Sequence, residues 1–196
     1  VMTAGAAQTF ANVHGVLQGK RMLMIGSGNV GLIVSYQLLQ AGADVVAIVD
    51  ALPKVNGYGV HAGKVSKAGV PFYLSHTITK ASGKNRVERA VIAEVDSSFN
   101  PISGTEKEFA VDTVLLAVGL TPREELATLF GCALEYDGRL GGHLTIHDQN
   151  MESSVPGVYV CGDLAGVEEA STALEEGRLA GIAAAESLGC IERDRA

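Results

Sequence analysis

Three glycines, Gly26, Gly28 and Gly31, form a G-x-G-x-x-G motif that directly follows an apolar run at residues 21–25. Residues 32–40, after the motif, have the apolar spacing of a helix. A chain with 24 glycines produces such spacings by chance, so the motif gains weight from its position between a predicted strand and a predicted helix. There the first glycine permits a tight turn, the second lets the backbone approach a pyrophosphate, and the third lets helix and strand pack closely. The motif therefore predicts a dinucleotide-binding β-turn-α unit.

The whole glycine loop is the predicted phosphate-binding site, because the N–H groups at the start of the helix face bound phosphates. Its residues are Gly26, Ser27, Gly28, Asn29, Val30 and Gly31. The alternative interpretation is a purely structural turn, followed by an unrelated surface aspartate.

Asp50 ends the second apolar run, residues 45–49, about 20 residues after the glycine motif. A carboxylate at this position accepts hydrogen bonds from the ribose hydroxyls of a bound nucleotide. It also disfavours a 2′-phosphate, since two like charges about 4 Å apart repel by up to roughly 4 kcal/mol at an effective dielectric constant of about 20. Lys54 can offset part of this repulsion. The sequence therefore predicts a preference for NAD over NADP.

Continuous apolar runs at 45–49 and 112–119 are typical of parallel strands that are covered on both faces. Between them, alternating segments at 86–95 and 107–111 predict an antiparallel meander. The predicted fold class is α/β: a Rossmann-type parallel sheet with helices on one or both faces, plus an antiparallel β-meander. The remaining predicted elements are strands near 72–79 and 144–146 and helices at 122–130 and 168–188. Val30, Ile33, Val34 and Leu38 are predicted on one face of the first helix.

Composition and charge exclude several classes of partner. The chain carries 15 basic and 22 acidic side chains, a formal net charge of −7, which argues against a nucleic-acid groove. No apolar run approaches the roughly 20 residues of a membrane span. No leader with a cleavage site is visible. We therefore expect no nucleic-acid or membrane partner and a cytoplasmic location.

No metal centre is predicted, and no catalytic residue can be assigned. Cys132, Cys161 and Cys190 are far apart and form no C-x-x-C, which disfavours a redox dithiol or a zinc knuckle. His143 and His147 share one face of a predicted strand but lie roughly 13 Å apart. Four acidic residues lie near the last predicted helix. Glu168 and Glu169 are interpreted as favouring the helix start, and Glu175 and Glu176 as solvated side chains.

Residues 154–163 read SVPGVYVCGD and resemble the S-x-P-G-V-Y-x-x-G-D signature of flavoproteins with two dinucleotide sites. These are the pyridine nucleotide-disulphide oxidoreductase-like proteins, which include thioredoxin and glutathione reductases. The resemblance implies FAD and NAD as cofactors, with Gly162 and Asp163 at the FAD. Residues 112–122 are similar to the second signature of that family, a buried strand that ends in a glycine, here Gly119. Val118 precedes this glycine where many relatives have threonine.

Two further runs, 136–142 and 175–181, resemble FAD-binding subunits of amine and amino-acid oxidising complexes. The examples are opine oxidase, hydrogen cyanide synthase, dye-linked proline dehydrogenase and the sarcosine oxidase alpha subunit. This resemblance implies partner subunits. Thioredoxin reductases carry a C-x-x-C before their second glycine motif, whereas residues 4–18 contain no cysteine. Disulfide reduction by that route is therefore disfavoured.

The resemblance also implies an order of domains. The interval from Gly26 to Asp163 suits an NAD domain inserted into an FAD domain, so the glycine loop would be the second, NAD-binding motif, with the first FAD motif outside this fragment. The implied segments are 1–20, a lead-in from the FAD domain; 21–142, the NAD-binding domain; and 143–196, the C-terminal segment of the FAD domain. The implied activity is hydride transfer between NAD(H) and flavin. Alternatives are an FAD subunit with a vestigial NAD site or a non-catalytic NAD-sensing module.

Overall fold

The computed structural model describes residues 1–191. The strands are β1 (Met2–Thr3), β2 (Arg21–Ile25), β3 (Asp44–Asp50), β4 (Phe72–Leu74), β5 (His76–Ser82), β6 (Arg89–Glu94), β7 (Lys107–Ala110), β8 (Thr113–Leu116), β9 (Leu134–Asp137) and β10 (Gly142–Thr145). The helices are α1 (Ala4–His14), α2 (Asn29–Gln40), α3 (Gly59–Lys67), α4 (Glu125–Leu129) and α5 (Ala170–Ser187), with a 3₁₀ turn at Gly162–Leu164. The chain divides into two units, Val1–Val118 and Gly119–Ala196.

A five-stranded parallel sheet in the order β1-β8-β2-β3-β4 forms the centre of the first unit. In β2 every residue after Arg21 is buried, which fits a strand in the middle of the sheet. Successive side chains of a strand point to opposite faces. Accordingly Met22 and Met24 pack into one apolar cluster, and Leu23 and Ile25 pack into another. The predicted α/β class with a parallel sheet is confirmed.

Helices cover one face of this sheet, and the meander covers the other. On the face of Met22, the helices contribute buried residues such as Leu38 of α2 and Val65 of α3. On the opposite face, the antiparallel sheet β5-β6-β7 contributes Ala90 and Ile92. Both faces of the parallel sheet are therefore dry, which explains why its strands read as continuous apolar runs.

Helix α2 begins at Asn29, earlier than predicted, and Val30, predicted on one face with Val34 and Leu38, is exposed while those two residues are buried. Val30 is 37% exposed, whereas Gly31 and Leu38 are buried. Because a helix turns by about 100° per residue, the buried stripe is centred near Gly31 and Leu38, and Val30 lies at its border. The side chain of Val30, in the first turn of α2, therefore lies away from the core.

One predicted strand also differs from the structure. The single strand predicted near 72–79 is divided at Ser75, which has a φ of +53°. A non-glycine residue rarely adopts this conformation. Here it sends β4 into the parallel sheet and β5 into the meander. In the apolar run 158–161, Tyr159 forms an isolated bridge with Glu152, and the N–H of Val158 donates to the Val155 carbonyl oxygen in the turn before it.

Residues 1–20, for which the sequence predicts no helix or strand, contain β1 and α1. Met2 of β1 lies opposite Leu115 of β8 in parallel register. Helix α1 begins after Thr3, whose hydroxyl oxygen accepts the N–H of Ala6 at 3.2 Å. Both elements therefore belong to the first unit. The predicted division into 1–20, 21–142 and 143–196 stays a prediction about the intact protein.

The second unit has a small apolar core. Its buried cluster consists of Met151, Ala165 and Ala180, and Ala180 is the one buried residue of α5. Many large apolar side chains of this unit are exposed, among them Leu126, Leu129, Phe130, Tyr136, Leu174 and Leu179. This unit therefore buries little of its own apolar surface.

At the turn of the β9-β10 hairpin, hydrogen bonds from the Arg139 side chain and backbone lower the pKa of Asp137 to about 2.

Substitution of Asp112 tests how the first unit holds its central strands. The Asp112 carboxylate accepts the N–H groups of Lys20 at 2.8 Å and Arg21 at 3.2 Å. Partial burial raises the pKa of Asp112, but these backbone hydrogen bonds outweigh it, and the pKa lies below its ordinary value. We expect Asp112→Asn to lower the free energy of unfolding by about 1–2 kcal/mol at neutral pH. Denaturant unfolding measures this loss.

The pH dependence has a defined sign, because the folded-state pKa of Asp112 is lowered. The contribution of the carboxylate is fully present above its unfolded pKa and is lost as the pH falls through the folded value. The difference between natural chain and variant should therefore shrink in acid. Asp44→Asn is the control, since Asp44 pairs with Arg21 at 2.8 Å through exposed side chains, and such a pair contributes little. Equal stability of the natural chain and Asp112→Asn at neutral pH would contradict this assignment.

Candidate nucleotide-binding site

Two of the three motif glycines are required by packing inside the chain. Gly26 has a φ of +108°, and a Cβ at this position would overlap the carbonyl oxygen of Ala117. A Cβ on Gly31 would overlap the carbonyl oxygen of Gly26. Hydrogen bonds of 2.7 Å, from Gly26 N to Val49 O and from Ala117 N to Ile25 O, hold the turn against β3 and β8. Close packing of turn, helix and sheet therefore explains these two glycines.

Gly28 has no such internal reason to be glycine. Its φ of −69° and ψ of 175° suit any residue, and no atom lies within 4 Å of the position that its Cβ would take. Gly28 is the N-cap of α2, and its carbonyl oxygen accepts the N–H of Leu32 at 3.0 Å. The open side of Gly28 thus lies at the positive end of a 12-residue helix. An anionic group can approach the backbone closely at this point.

Asp50 contacts the glycine loop directly, so the structure brings these predicted site residues together. Its Oδ2 accepts hydrogen bonds from the backbone N–H and the hydroxyl of Ser27, both at 2.6 Å, and its Oδ1 accepts the N–H of Leu52 at 2.9 Å. Ser27 itself is fully buried. A carboxylate has about four acceptor positions, so these bonds leave about one, on Oδ1, for a ligand. Lys54 lies exposed in the loop that follows β3.

A second turn carries the predicted FAD residues. Gly162 has a φ of +65° and begins the 3₁₀ turn, and Asp163 is exposed. The N–H of Gly162 donates to Oε2 of Glu176 on α5 at 2.7 Å. The interpretation of Glu176 as a solvated side chain is therefore wrong, because its carboxylate accepts a backbone hydrogen bond from a turn that precedes the helix. Glu175 beside it does point to an exposed partner, Arg178, at 2.9 Å.

Gly119, the third predicted cofactor contact after the glycine loop and the 3₁₀ turn, lies just beyond β8. Its φ of +129° is a conformation that only glycine adopts readily. No atom lies within 4 Å of the position that its Cβ would take. Backbone conformation alone therefore explains this glycine, and its predicted contact with FAD stays a prediction.

His143 and His147 make ordinary side-chain contacts, and Cys132, Cys161 and Cys190 are free thiols. His143 contacts the ring of Tyr136, with centroids 5.3 Å apart, and Nδ1 of His147 lies 2.9 Å from the carbonyl oxygen of Asp148. Within residues 1–191, no three His, Cys, Asp or Glu side chains are grouped as a metal site. In the same residues, no helix has both the length and the apolar character needed to cross a bilayer.

Comparison with known proteins identifies relatives across almost the whole chain. The family model described as pyridine nucleotide-disulphide oxidoreductase matches residues 4–177. An opine oxidase subunit of Agrobacterium tumefaciens is 28% identical over 97% of this chain and 40% of its own length. Dihydrolipoyl dehydrogenase of Pseudomonas aeruginosa is 32% identical over 75% of this chain and 30% of its own length. The chain thus spans less than half of these relatives.

A solved structure supports the fold independently. The thioredoxin reductase of Lactococcus lactis superposes with a TM-score of 0.74 at 19% identity, covering 97% of this chain and 58% of that one. Identity this low shows the fold alone. The resemblance that the sequence motifs indicated is confirmed by the family match and by the opine oxidase relative.

The contact between Glu176 and Gly162 can be tested by amide hydrogen exchange. Hydrogen bonds to charged acceptors contribute roughly 1.5–3 kcal/mol, and Glu176 is partly exposed, so the lower end applies. We expect Glu176→Ala to accelerate exchange of the Gly162 amide by about tenfold. Glu175→Ala is the matched control, because Glu175 pairs only with an exposed arginine. The assignment fails if Glu176→Ala leaves the exchange of Gly162 unchanged, as the control is expected to do.

Proposed function

Because the chain belongs to the pyridine nucleotide-disulphide oxidoreductase family, we propose that it binds a pyridine nucleotide at the glycine loop and contributes part of an FAD site. In the intact protein these groups would take part in hydride transfer between NAD(H) and flavin. Such transfer is the chemistry that the two cofactors supply, and the protein supplies binding, orientation and electrostatics. Residues 26–31 and Asp50 are the proposed nucleotide contacts, and Gly119, Gly162 and Asp163 the proposed FAD contacts.

The observation that carries this proposal is the open side of Gly28. Packing or backbone conformation explains Gly26 and Gly31, but neither explains Gly28. A ligand that approaches the backbone at the start of α2 gives a reason for this glycine, and a pyrophosphate is such a ligand. The fixed loop geometry supports the same conclusion, since Ser27 is buried and held by Asp50.

Two observations support a contribution to FAD binding. The turn at Gly162 is fixed by Glu176, so that the exposed Asp163 follows a backbone of defined conformation. The second unit also exposes large apolar side chains, such as Leu129 and Phe130, over a small core. We infer that the remaining part of an FAD domain covers this surface in the intact protein. Segment 143–196 is proposed to belong with that domain and 21–142 with the nucleotide. The predicted lead-in 1–20 packs in the first unit through β1 and α1, which supports placing it with the nucleotide as well.

A second candidate function is supported by the match to the opine oxidase relative, which is named as one component of an oxidase. In this case the intact protein would be the FAD-binding component of an amine or amino-acid dehydrogenase complex, and the nucleotide site would be vestigial. Partner subunits and a cytoplasmic location remain part of the proposal. Nucleotide binding by the chain separates the two candidates, because a vestigial site does not bind NADH.

Gly28→Val tests the carrying observation. A valine side chain would fill the open side of the turn, and we expect it to weaken NADH binding by at least about a hundredfold, since several hydrogen bonds to a charged pyrophosphate are lost. Titration calorimetry measures the affinity, and circular dichroism should show unchanged helix content. Gly5→Val is the control, because Gly5 is exposed and its Cβ also meets no atom within 4 Å. Normal NADH binding by Gly28→Val would make the loop purely structural.

The choice between NADH and NADPH tests the role of Asp50. We expect the natural chain to bind NADH at least about tenfold more tightly, because the carboxylate repels a 2′-phosphate. In Asp50→Ala this ratio should fall towards one. Both affinities should drop as well, since Ser27 loses the acceptor for its N–H and hydroxyl. Calorimetry with both nucleotides gives the ratio, and equal affinities in the natural chain would remove the argument for NAD.

A further inference from the structure

Segment 56–58, which precedes α3, donates a hydrogen bond to the glycine loop from each of its three backbone N–H groups. Asn56 N donates to Ser27 Oγ at 3.2 Å, and Gly57 N donates to Ser27 O at 2.9 Å. Tyr58 N donates to Oδ1 of Asn29 at 2.8 Å. The segment therefore binds three acceptor atoms of the loop that is proposed to hold the pyrophosphate.

Gly57 packs against the glycine loop without room for a side chain. A Cβ on Gly57 would lie 2.6 Å from Cδ1 of Leu32 and 2.9 Å from both the Asn29 nitrogen and the Gly28 carbonyl carbon. Real Cβ atoms do not approach other atoms so closely. Any larger residue at this position must therefore displace either segment 56–58 or the loop.

The segment does not close the proposed site. The Cβ direction of Gly28 is free of atoms within 4 Å, so segment 56–58 contacts Gly28 from another side. One side of the loop is thus supported by the segment, and the other side stays open for a ligand. Segment 56–58 therefore supports the loop and does not cover the open side of Gly28.

We propose that segment 56–58 is a buttress that fixes the glycine loop in its nucleotide-binding geometry, with Gly57 and the Tyr58 amide as positioning groups. The proposal rests on nucleotide binding at the glycine loop. Acceptor oxygens near a phosphate repel it, and the buttress takes up three of them, on Ser27 and Asn29. It also limits the conformations that the loop must give up on binding, which increases affinity.

Reciprocal coupling gives the proposal a sharp test. If docking of the segment increases nucleotide affinity by some factor, nucleotide binding must increase docking by the same factor. Saturating NADH should therefore slow hydrogen exchange of the Gly57 and Tyr58 amides, and we expect a slowing of several-fold. NADH also slows amides that exchange through global unfolding, such as that of the buried Val114 in β8. A segment that served only the stability of the fold would be slowed no more than such an amide.

Gly57→Ala and Gly59→Ala form a matched pair of variants. We expect Gly57→Ala to weaken NADH binding by about tenfold, the effect of roughly one lost hydrogen bond, with helix content unchanged. Gly59→Ala should bind NADH as the natural chain does, because the Cβ of residue 59 meets no atom within 4 Å. Calorimetry measures both affinities.

A second pair isolates the amide of Tyr58. Its φ of −63° suits proline, so Tyr58→Pro removes the donor to Asn29 while keeping the backbone conformation, whereas Tyr58→Ala keeps the donor. Tyr58→Pro should bind NADH more weakly than Tyr58→Ala. If the natural chain binds no NADH, the proposed function falls, and the buttress with it. If the natural chain binds NADH, equal NADH affinities of the two variants in each pair overturn the buttress alone. If the variants do not fold, the buttress is overturned when NADH slows exchange of the Gly57 and Tyr58 amides in the natural chain no more than exchange of the Val114 amide.

Discussion

The hydrogen bonds between Asp50 and Ser27 are the interaction on which the first unit's proposed site depends. They join the end of β3 to the turn after β2, two strands that are neighbours in the sheet. Ser27 is fully buried, so its N–H and hydroxyl need an acceptor inside the protein. A charged acceptor satisfies both, and the loop is thereby fixed before any ligand arrives. The predicted role of Asp50 towards ribose and this structural role share one carboxylate.

The polarity of the glycine loop follows from that arrangement. The acceptor atoms of Ser27 are occupied by the amides of Asn56 and Gly57. The open side lies at Gly28, at the start of α2, where the helix dipole is positive. Acceptors are therefore turned inward and a positive potential outward. That is the electrostatic requirement of a site for a diphosphate, and it arises from local geometry without any lysine or arginine in the loop.

Local patterns in the sequence predicted the parts of the fold that depend on local contacts. Apolar runs and glycine spacing predict β2, the glycine turn, α2 and β3. Apolar runs without alternation predict the parallel sheet. The division at Ser75 could not be predicted, because a serine with positive φ leaves no mark in the pattern. Glu176 was missed for another reason: its partner Gly162 is 14 residues away and reaches it only through the folded turn.

The same device recurs in both units, a carboxylate that accepts the backbone N–H of a glycine-rich turn. Asp50 accepts from Ser27 at 2.6 Å in the first unit, and Glu176 accepts from Gly162 at 2.7 Å in the second. Each pair lies within its own unit, so the two hydrogen bonds share no residue. Effects of substitutions at separate sites without shared partners usually add. The proposed nucleotide turn and the proposed FAD turn are thus each held by a carboxylate of their own unit, and each proposed cofactor contact can be judged by its own variant.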